Sequence, residues 1–397
     1  MDRELRTFGD GSCPLKEAGE RLAWWARPST RKAFGRTLRA ALNGVVYLSG
    51  NAAKPTMGNV AKDLVLREGK LEVWRVRRST ERYELGDDEV SIDLAPPQKC
   101  PILLIPPLMV RPYVYDLRPE HSMMRTLRNA GFDVFYLDFG VPDRADEGLR
   151  LDDYVTDFVP RAVDRMMEVS GAKQCSLVGY CMGGIFALLH VAAHKDPRVA
   201  HIVTIGAPVD FDRMGAITIA ARLGGPLVDP IVERLGNIPG KLSSAGFKLL
   251  SGTRSITKYL DLFSHLSSED YVRSFDSIDT WLSEMIPYPK EAFRQLVQEV
   301  VRGNKMLKDE LVFRDKDGIE KRSEMRSVSC PLLAFAGVGD NVATLGSTRE
   351  ILNLVSSQDK TFLEVPGGHI GVVGGSQARV EVWEPMISWL RDRQKGS

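Results

Sequence analysis

The chain has 397 residues, 43% of them hydrophobic and 26% charged, with a formal net charge of +1. This composition is ordinary for a globular protein, and the near-neutral charge gives no reason to expect binding to nucleic acid or to a membrane surface. The start of the chain is charged and no apolar stretch follows it, so we expect no secretory signal, and the longest apolar run, near 101–110, is too short for a transmembrane segment. The five cysteines form no paired pattern, which favours the reducing cytoplasm.

Residues 1–95 are predicted to form a region of helices and strands that packs on the core. Residues 16–27 and 31–48 carry apolar side chains at helical spacing with basic side chains between them, a pattern typical of amphipathic helices. We expect these helices to lie on the rest of the protein, the alternative being a membrane or granule surface. Residues 63–76 are predicted to form two strands around a Glu-Gly turn.

Strands and helices alternate over residues 96–210 and again over residues 328–397. A continuous apolar run at 101–107 predicts a strand that is buried on both faces, 132–138 predicts the next strand, and 201–206 predicts another buried strand. Because such alternation builds a parallel sheet covered by helices, we predict an α/β fold with a mostly parallel central sheet.

The alternation stops over residues 211–327. This stretch is rich in Met, Leu, Arg and aromatic residues, and its pattern is that of helices with irregular joints. We therefore predict a helical cap, or lid, inserted over the C-terminal edge of the sheet. Trp281 belongs either to the core of this cap or to a wall of the substrate site.

The most informative motif is the sequence GYCMGG at 179–184. A short apolar run precedes it and a helix-forming run follows, so the pattern is strand, tight turn and helix, with Cys181 at the turn. This is typical of the nucleophile elbow of the α/β-hydrolase fold, with Cys in place of Ser. Gly179 and Gly183 leave room that a Cβ would fill, and the free N–H groups at the helix start favour a thiolate. The alternative is a buried cysteine in an ordinary strand-to-helix turn.

Two later loops carry the expected partners of this cysteine. Asp340 follows the strand predicted at 332–336, and His369 lies in a glycine-rich loop after the strand predicted at 361–365. The order nucleophile, acid, histidine is that of the α/β hydrolases. We predict a catalytic triad in which His369 takes the proton of Cys181 and Asp340 orients the imidazole.

Other residues are assigned weaker roles. The N–H of Met182 and an N–H of Leu108 or Met109, after the first core strand, are predicted to form an oxyanion hole. Tyr180, beside the nucleophile, is predicted to bind substrate, with packing as the alternative. Asp138 is a less favoured candidate than Asp340 for the acid of the triad.

No metal site is predicted. His190 and His194 lie four residues apart on the helix after the elbow, but the intervening residues lack the Glu of the H-E-x-x-H pattern and no third ligand is evident. A packed or solvated helix face is therefore the favoured interpretation of this pair.

Taken together, the segments resemble a known family. Over roughly 55–390 the chain resembles the polyhydroxyalkanoate (poly-3-hydroxybutyrate) synthases, and most closely the class III PhaC catalytic subunit of the two-component PhaC–PhaE type, within the α/β-hydrolase superfamily. The order and spacing of several separate blocks carry the resemblance. The blocks lie at 63–76, 106–108, 113–120, 132–143, 179–184, 208–211, 304–305, 340 and 368–371.

The resemblance implies a cytoplasmic acyltransferase that polymerises 3-hydroxyacyl-CoA, commonly 3-hydroxybutyryl-CoA, with release of CoA. The growing polyester is held as a thioester on Cys181, and His369 also activates the 3-hydroxyl of the incoming unit. No cofactor is implied beyond the CoA thioester substrate. A homodimer and a granule surface are implied, and a PhaE-like partner subunit is allowed for. The alternatives are a thioesterase or polyhydroxyalkanoate depolymerase, in which water is the acceptor, and a non-catalytic granule-associated protein.

Overall fold

The computed structural model describes residues 57–78, 82–85, 88–91, 94–250 and 269–394. The chain divides into two compact units, one formed by 1–54 with 256–273 and the other by 55–255 with 274–397. The first unit lies almost wholly outside the described residues, and the helices predicted at 16–27 and 31–48 lie outside them entirely. The second unit holds every predicted site residue.

A central sheet of eight strands forms the middle of the second unit, and three two-stranded ribbons accompany it in the described ranges. The strands of the central sheet are β1 (Lys62–Glu68), β2 (Leu71–Val76), β5 (Ile102–Ile105), β8 (Val134–Asp138), β9 (Cys175–Tyr180), β10 (Val199–Ile205), β13 (Leu332–Gly337) and β14 (Lys360–Val365). The ribbons pair β3 (Arg82–Leu85) with β4 (Asp88–Ser91), β6 (Asp116–Arg118) with β7 (His121–Ser122), and β11 (Val312–Arg314) with β12 (Glu320–Arg322).

The central sheet has the order β1-β2-β8-β5-β9-β10-β13-β14. All pairings from β8 to β14 are parallel, whereas β1 and β2 add an antiparallel edge. Every residue of β5, β9 and β13 is buried, as the continuous apolar runs predict. The two strands predicted at 63–76 therefore extend the sheet of the core.

Helices connect and cover the strands. The helices that precede β10 in the chain are α1 (Met123–Asn129), α2 (Leu151–Asp153), α3 (Val159–Ser170) and α4 (Met182–His194). After β10 they are α5 (Ala216–Leu235), α6 (Gly240–Leu250), α7 (Glu269–Ser283), α8 (Lys290–Gln295), α9 (Leu345–Arg349), α10 (Ile351–Leu354), α11 (Gly371–Gly374) and α12 (Glu384–Gln394). None of the helices in the described part of the chain is long and apolar enough to cross a membrane.

Two apolar cores lie on the opposite faces of the sheet. Leu103 and Ile105 of β5 belong to one core and Ile102 and Leu104 to the other. This follows from the strand geometry, because successive side chains point to opposite faces. The sheet is thus packed from both sides, which holds the C-terminal ends of its parallel strands in fixed positions.

The stretch predicted to be helical, 211–327, contains α5, α6, α7 and α8, but its end differs from that interpretation. There β11 and β12 form an antiparallel ribbon. The turn between them uses Gly318, whose φ is +79°, and the Asp315 carboxylate, which accepts the N–H of Ile319 at 2.8 Å. Side-chain hydrogen bonding of this kind favours a turn over a helix.

Candidate active site

Cys181 occupies the tight turn between β9 and α4. Its backbone has φ 52° and ψ −120°, a region that residues with a side chain rarely adopt. Its N–H donates to the carbonyl oxygen of Ile205 at 2.9 Å, and its side chain is partly buried. Strained backbone of this kind persists only where the surroundings enforce it, and it concentrates at functional sites.

Three glycines enforce the turn at Cys181. A Cβ on Gly179 would overlap the backbone of Gly183, and a Cβ on Gly183 would overlap the carbonyl of Ile105 at the end of β5. A Cβ on Gly184, which the sequence argument did not single out, would lie 2.7 Å from the Cβ of Ala207. The elbow is therefore pressed against the neighbouring strand ends on both sides, and only glycine permits this approach.

His369 and Asp340 form a buried pair beside this turn. Nδ1 of His369 donates to Oδ2 of Asp340 at 2.8 Å, while the other carboxylate oxygen accepts the N–H groups of Val342 and Ala343, both at 2.8 Å. The pair packs over Gly206, whose φ is +57°, and an added Cβ there would lie 3.5 Å from the imidazole. The acid is thus held by three hydrogen bonds, and it orients one ring nitrogen of the histidine.

The imidazole of His369 also lies close to the side chain of Cys181. Burial disfavours the charged imidazolium, but the negative charges of Cys181 and Asp340 outweigh burial and raise the pKa of His369 to about 10. The structure therefore brings together the three residues that the sequence predicts as partners. The arrangement favours a protonated histidine between two acidic groups.

Two tyrosines support the histidine loop and the elbow. The Tyr180 hydroxyl donates to the carbonyl oxygen of His369 at 3.1 Å, and the two rings lie 5.2 Å apart. The Tyr115 hydroxyl donates to the carbonyl of Ile105 at 2.7 Å and accepts the N–H of Tyr180 at 3.0 Å. Tyr180 is thus fully packed in a positioning role, and its predicted contact with substrate stays a prediction. Tyr115 was missed, because no local pattern distinguishes it.

The residues predicted to form an oxyanion hole lie around the same turn. Met182 is the first residue of α4, so its N–H has no acceptor within the helix. Leu108 is buried after β5, and the carbonyl of Met109 accepts the N–H of Ile286 at 3.0 Å. The use of these N–H groups by a reacting carbonyl stays a prediction.

The chain is similar in sequence to known proteins. Residues 114–375 match the family described as alpha/beta hydrolase fold. Over 345 residues the chain is 31% identical to the poly(3-hydroxyalkanoate) polymerase subunit PhaC of Allochromatium vinosum, and the alignment covers 86% of this chain and 92% of that protein. The chain belongs to the poly(3-hydroxyalkanoate) polymerase family. The resemblance drawn from the sequence blocks is thereby confirmed.

One further relative and one solved structure show how far the similarity extends. The PhaC subunit of Haloferax mediterranei is 29% identical over 345 residues, which are 86% of this chain but 65% of that protein. A carboxyl esterase from Bacillus coagulans, 14% identical, matches the structure with a TM-score of 0.54 over 85% of this chain and 100% of its own. At that identity the esterase shows the fold alone, and the predicted α/β-hydrolase fold is confirmed.

Segments of the helical stretch contact the site of this polymerase family member. Phe247 of α6 places its ring 5.9 Å from the imidazole of His369. Trp281 of α7 is 2% exposed and belongs to the apolar core that contains Tyr180, with Cys181 packed against it. Trp281 is thus part of the packed interior of this segment, and its contact with substrate stays a prediction.

The weaker alternatives from the sequence have other partners. Asp138 accepts the N–H of Gly140 at 2.8 Å, whereas Asp340 is the acid bonded to the histidine. His190 pairs with Asp196 at 3.2 Å, and His194 contacts the carbonyl of Val155 at 3.1 Å. Across the described residues no group of three or more His, Cys, Asp or Glu side chains could hold a metal ion. The histidine pair therefore belongs to a packed helix face.

Proposed function

We propose that the protein is a polyester synthase that polymerises 3-hydroxyacyl-CoA, 3-hydroxybutyryl-CoA being the expected unit, through a thioester on Cys181. The observation that carries the proposal is the strained Cys181 turn beside the buried His369–Asp340 pair, in a chain of the poly(3-hydroxyalkanoate) polymerase family. A cysteine suits this reaction because a thiolate attacks a thioester readily.

Loading of the enzyme begins when His369 takes the proton from the Cys181 sulfur. The thiolate attacks the thioester carbonyl, and the carbonyl oxygen gains negative charge that the N–H groups of Met182 and of Leu108 or Met109 stabilise. The carbonyl re-forms as the sulfur of CoA leaves with the proton from His369. One thioester replaces another, so this exchange is close to balanced in free energy.

Chain growth uses the same residues. His369, held by Asp340, takes the proton from the 3-hydroxyl of the next unit, and the resulting alkoxide attacks the thioester on Cys181. The ester bond forms, the C–S bond to Cys181 breaks, and His369 returns the proton to the cysteine sulfur. The lengthened chain, now the thioester of the incoming unit's CoA, reloads Cys181 by the same exchange and releases that CoA. Conversion of a thioester into an oxyester is favourable, which drives polymerisation. Water must be excluded during this cycle, since it would release the chain as a free acid.

The helical stretch 211–327 is proposed to act as the cap that excludes water. Three observations support this role: the Phe247 ring lies near the His369 imidazole, Trp281 belongs to the apolar core that also contains Tyr180, and the N–H of Ile286 donates to the carbonyl of Met109. Bulky CoA and a growing chain must still enter and leave, so the cap has to move.

The cap can be tested by hydrogen exchange with and without a non-polymerising acyl-CoA analogue. Protection in α5 and α6 should change more than protection in β5 and β13, because the strands are packed on both faces. Identical exchange of the helices in the two states would contradict a moving cap. The homodimer, the PhaE-like subunit and the cytoplasmic granule surface stay predictions, and size measurement with and without substrate addresses the first of them.

The function is tested by incubating the purified protein with 3-hydroxybutyryl-CoA and following both CoA release and product size. Polymer supports the proposal, free 3-hydroxybutyrate identifies a thioesterase or depolymerase-type hydrolase, and no CoA release leaves the non-catalytic alternative. Cys181→Ala should abolish CoA release while the protein stays folded. Cys181→Ser should keep weak activity at most, because a hydroxyl needs more activation than a thiol. Normal turnover by Cys181→Ala would refute the covalent mechanism.

A further inference from the structure

The segment from Met285 to Tyr288 runs from the helical stretch to the loop after β5. The N–H of Ile286 donates to the carbonyl of Met109 at 3.0 Å. Two residues on, Tyr288 and Ile238 exchange backbone hydrogen bonds of 2.9 Å in both directions. These bonds fix the backbone of Tyr288 beside the loop that is predicted to supply the second oxyanion donor.

The side chain of Tyr288 is enclosed at this point. It is 2% exposed, and its ring meets the ring of Phe293 at 5.7 Å in an edge-to-face arrangement. Within the described part of the chain, no group forms a hydrogen bond with its hydroxyl. A buried hydroxyl without a partner costs about 1–3 kcal/mol, and such groups are rare in folded proteins. An unpaired hydroxyl at this position is therefore expected to have a functional role.

Tyr288 belongs to the same apolar core as Leu108 and Met182, two of the residues predicted to supply oxyanion-hole N–H groups beside the Cys181 sulfur. Burial raises the pKa of the Tyr288 hydroxyl well above its usual range. The hydroxyl is consequently neutral and protonated at physiological pH. A protonated hydroxyl can donate a hydrogen bond to an oxygen that lies next to the sulfur, and the oxygen present there in every acylated state is the thioester carbonyl.

We propose that Tyr288 is a further catalytic residue, whose hydroxyl donates a hydrogen bond to the carbonyl oxygen of the acyl group on Cys181. This deepens the proposed function and rests on it. When a nucleophile attacks that carbonyl, the π electron pair moves onto the oxygen, and the hydrogen bond from Tyr288 strengthens. No proton is transferred, so the hydroxyl acts as a side-chain donor beside the backbone N–H of Met182.

The first measurement is single-turnover loading of Cys181 by butyryl-CoA, followed by quenched-flow detection of free CoA. Butyryl-CoA has the carbonyl but no 3-hydroxyl, so it cannot polymerise. Tyr288→Phe keeps the ring that packs on Phe293 and removes the hydroxyl alone. It should slow loading by at least about 10-fold, since loss of one oxyanion donor costs about 10²–10³-fold in known cases. Tyr136→Phe, the same change at a buried tyrosine of β8, should load at the wild-type rate.

The second measurement separates a donor from a structural role. The acyl-enzyme is formed with [1-¹³C]butyryl-CoA, or with the matching p-nitrophenyl ester, and its carbonyl stretch is recorded by isotope-edited infrared spectroscopy. Loss of a hydrogen bond to the carbonyl oxygen should move the band of Tyr288→Phe to higher frequency than that of the wild type. The band of Tyr136→Phe should not move. Tyr136→Phe should unfold at about the wild-type denaturant concentration, and Tyr288→Phe at that concentration or a higher one, because it removes a buried hydroxyl that has no partner.

The outcomes separate the two proposals. An unshifted carbonyl band, or unchanged loading by Tyr288→Phe, overturns the role of Tyr288. Slower loading by 3-hydroxybutyryl-CoA but not by butyryl-CoA also overturns it, because the hydroxyl would then contact the 3-hydroxyl of the substrate. If the wild type loads both substrates and makes no polymer, the synthase function fails while the role of Tyr288 stands on the loading data. If neither CoA substrate nor ester acylates Cys181, both proposals fall.

Discussion

Two apolar helices of the second unit, α4 and α5, differ sharply in how much of each is buried. In α4, which begins directly after Cys181, every residue from Met182 to Ala192 is buried. In α5, the longest helix of the helical stretch, Thr218, Gly225 and Val232 are buried, while a regular apolar stripe faces solvent. The exposed side chains of this stripe are Ile219, Leu223, Leu227, Ile231 and Leu235.

The difference shows that tightly packed and loosely packed helices occur in different parts of the second unit. Packing on all sides fixes α4, so the strained turn at Cys181 can be maintained. By contrast, α5 buries little apolar area and contains Pro226 and Pro230, each of which lacks a backbone N–H. Elements with few buried contacts open most easily. Cys181 thus precedes a helix that is packed on all sides, whereas the stretch proposed to form the cap contains a helix with little buried apolar area.

The largest effect is expected from an added methyl group at the elbow. Gly183→Ala would push a Cβ into the carbonyl of Ile105, and backbone on both sides leaves no room to relax. We expect a loss of more than about 3 kcal/mol in the free energy of unfolding, or no folded protein. Gly224→Ala, in α5, meets nothing within 4 Å and should be neutral or stabilising by about 0.5–1 kcal/mol. Urea unfolding measures both, and equal effects would remove the contrast between the helices.

A leucine truncated in each helix tests the contrast without backbone strain. Leu188 of α4 is 0% exposed and Leu223 of α5 is 77% exposed. Leu188→Ala should cost about 2–5 kcal/mol, because it leaves a cavity in a closely packed core. Leu223→Ala should change stability by less than about 0.5 kcal/mol, since the side chain already contacts water. A large loss from Leu223→Ala would show that another surface covers the stripe in solution.

The packed half of the molecule is also the half that the sequence predicts well. A strand buried on both faces appears as a continuous apolar run, and β5, β9 and β13 are predictable for this reason. The elbow is predictable because its glycines and its nucleophile lie within six residues, at 179–184. Asp340 and His369 are found through their order along the chain, since the α/β-hydrolase fold brings the loops that follow its strands to one edge.

The parts that could not be predicted depend on contacts between distant residues. Tyr115 binds Ile105 and Tyr180 through its hydroxyl, and no periodicity in the sequence signals that bond. The same holds for Tyr288, whose place is set by backbone pairing with Ile238. The ribbon at 312–322 was missed because short strands carry too few residues to show alternation.

A smaller effect is expected where the helical stretch joins the sheet. Asn304 is 1% exposed, and its backbone φ is +47°. Its side-chain amide accepts the N–H of Phe211 at 3.1 Å and donates to the Asp210 carboxylate at 2.8 Å. Asn304→Ala should cost about 1–3 kcal/mol, because it leaves buried groups unpaired and puts alanine in a left-handed conformation. Asn304→Gly should cost less, because glycine adopts the left-handed conformation without strain, although it still leaves the buried groups unpaired. Asn353→Ala, at an exposed asparagine, should be neutral in the same urea titrations, and equal losses for Ala and Gly would show that φ does not matter here.

The last contrast concerns pH, and it compares two buried histidines within the packed half. The folded protein raises the pKa of His369 to about 10, whereas burial lowers the pKa of His201 to about 4. Because an unfolded histidine titrates near about 6.5, the stabilisation from protonated His369 is complete below that pH and is lost as the pH rises towards 10. The stability difference between wild type and His369→Gln should therefore shrink between pH 7.5 and 9.5, by no more than about 1.4 kcal/mol per pH unit. For His201→Gln the difference should stay constant over that range, since this histidine is neutral in both states there. A constant difference for His369→Gln as well would show that the negative groups around His369 do not hold its proton.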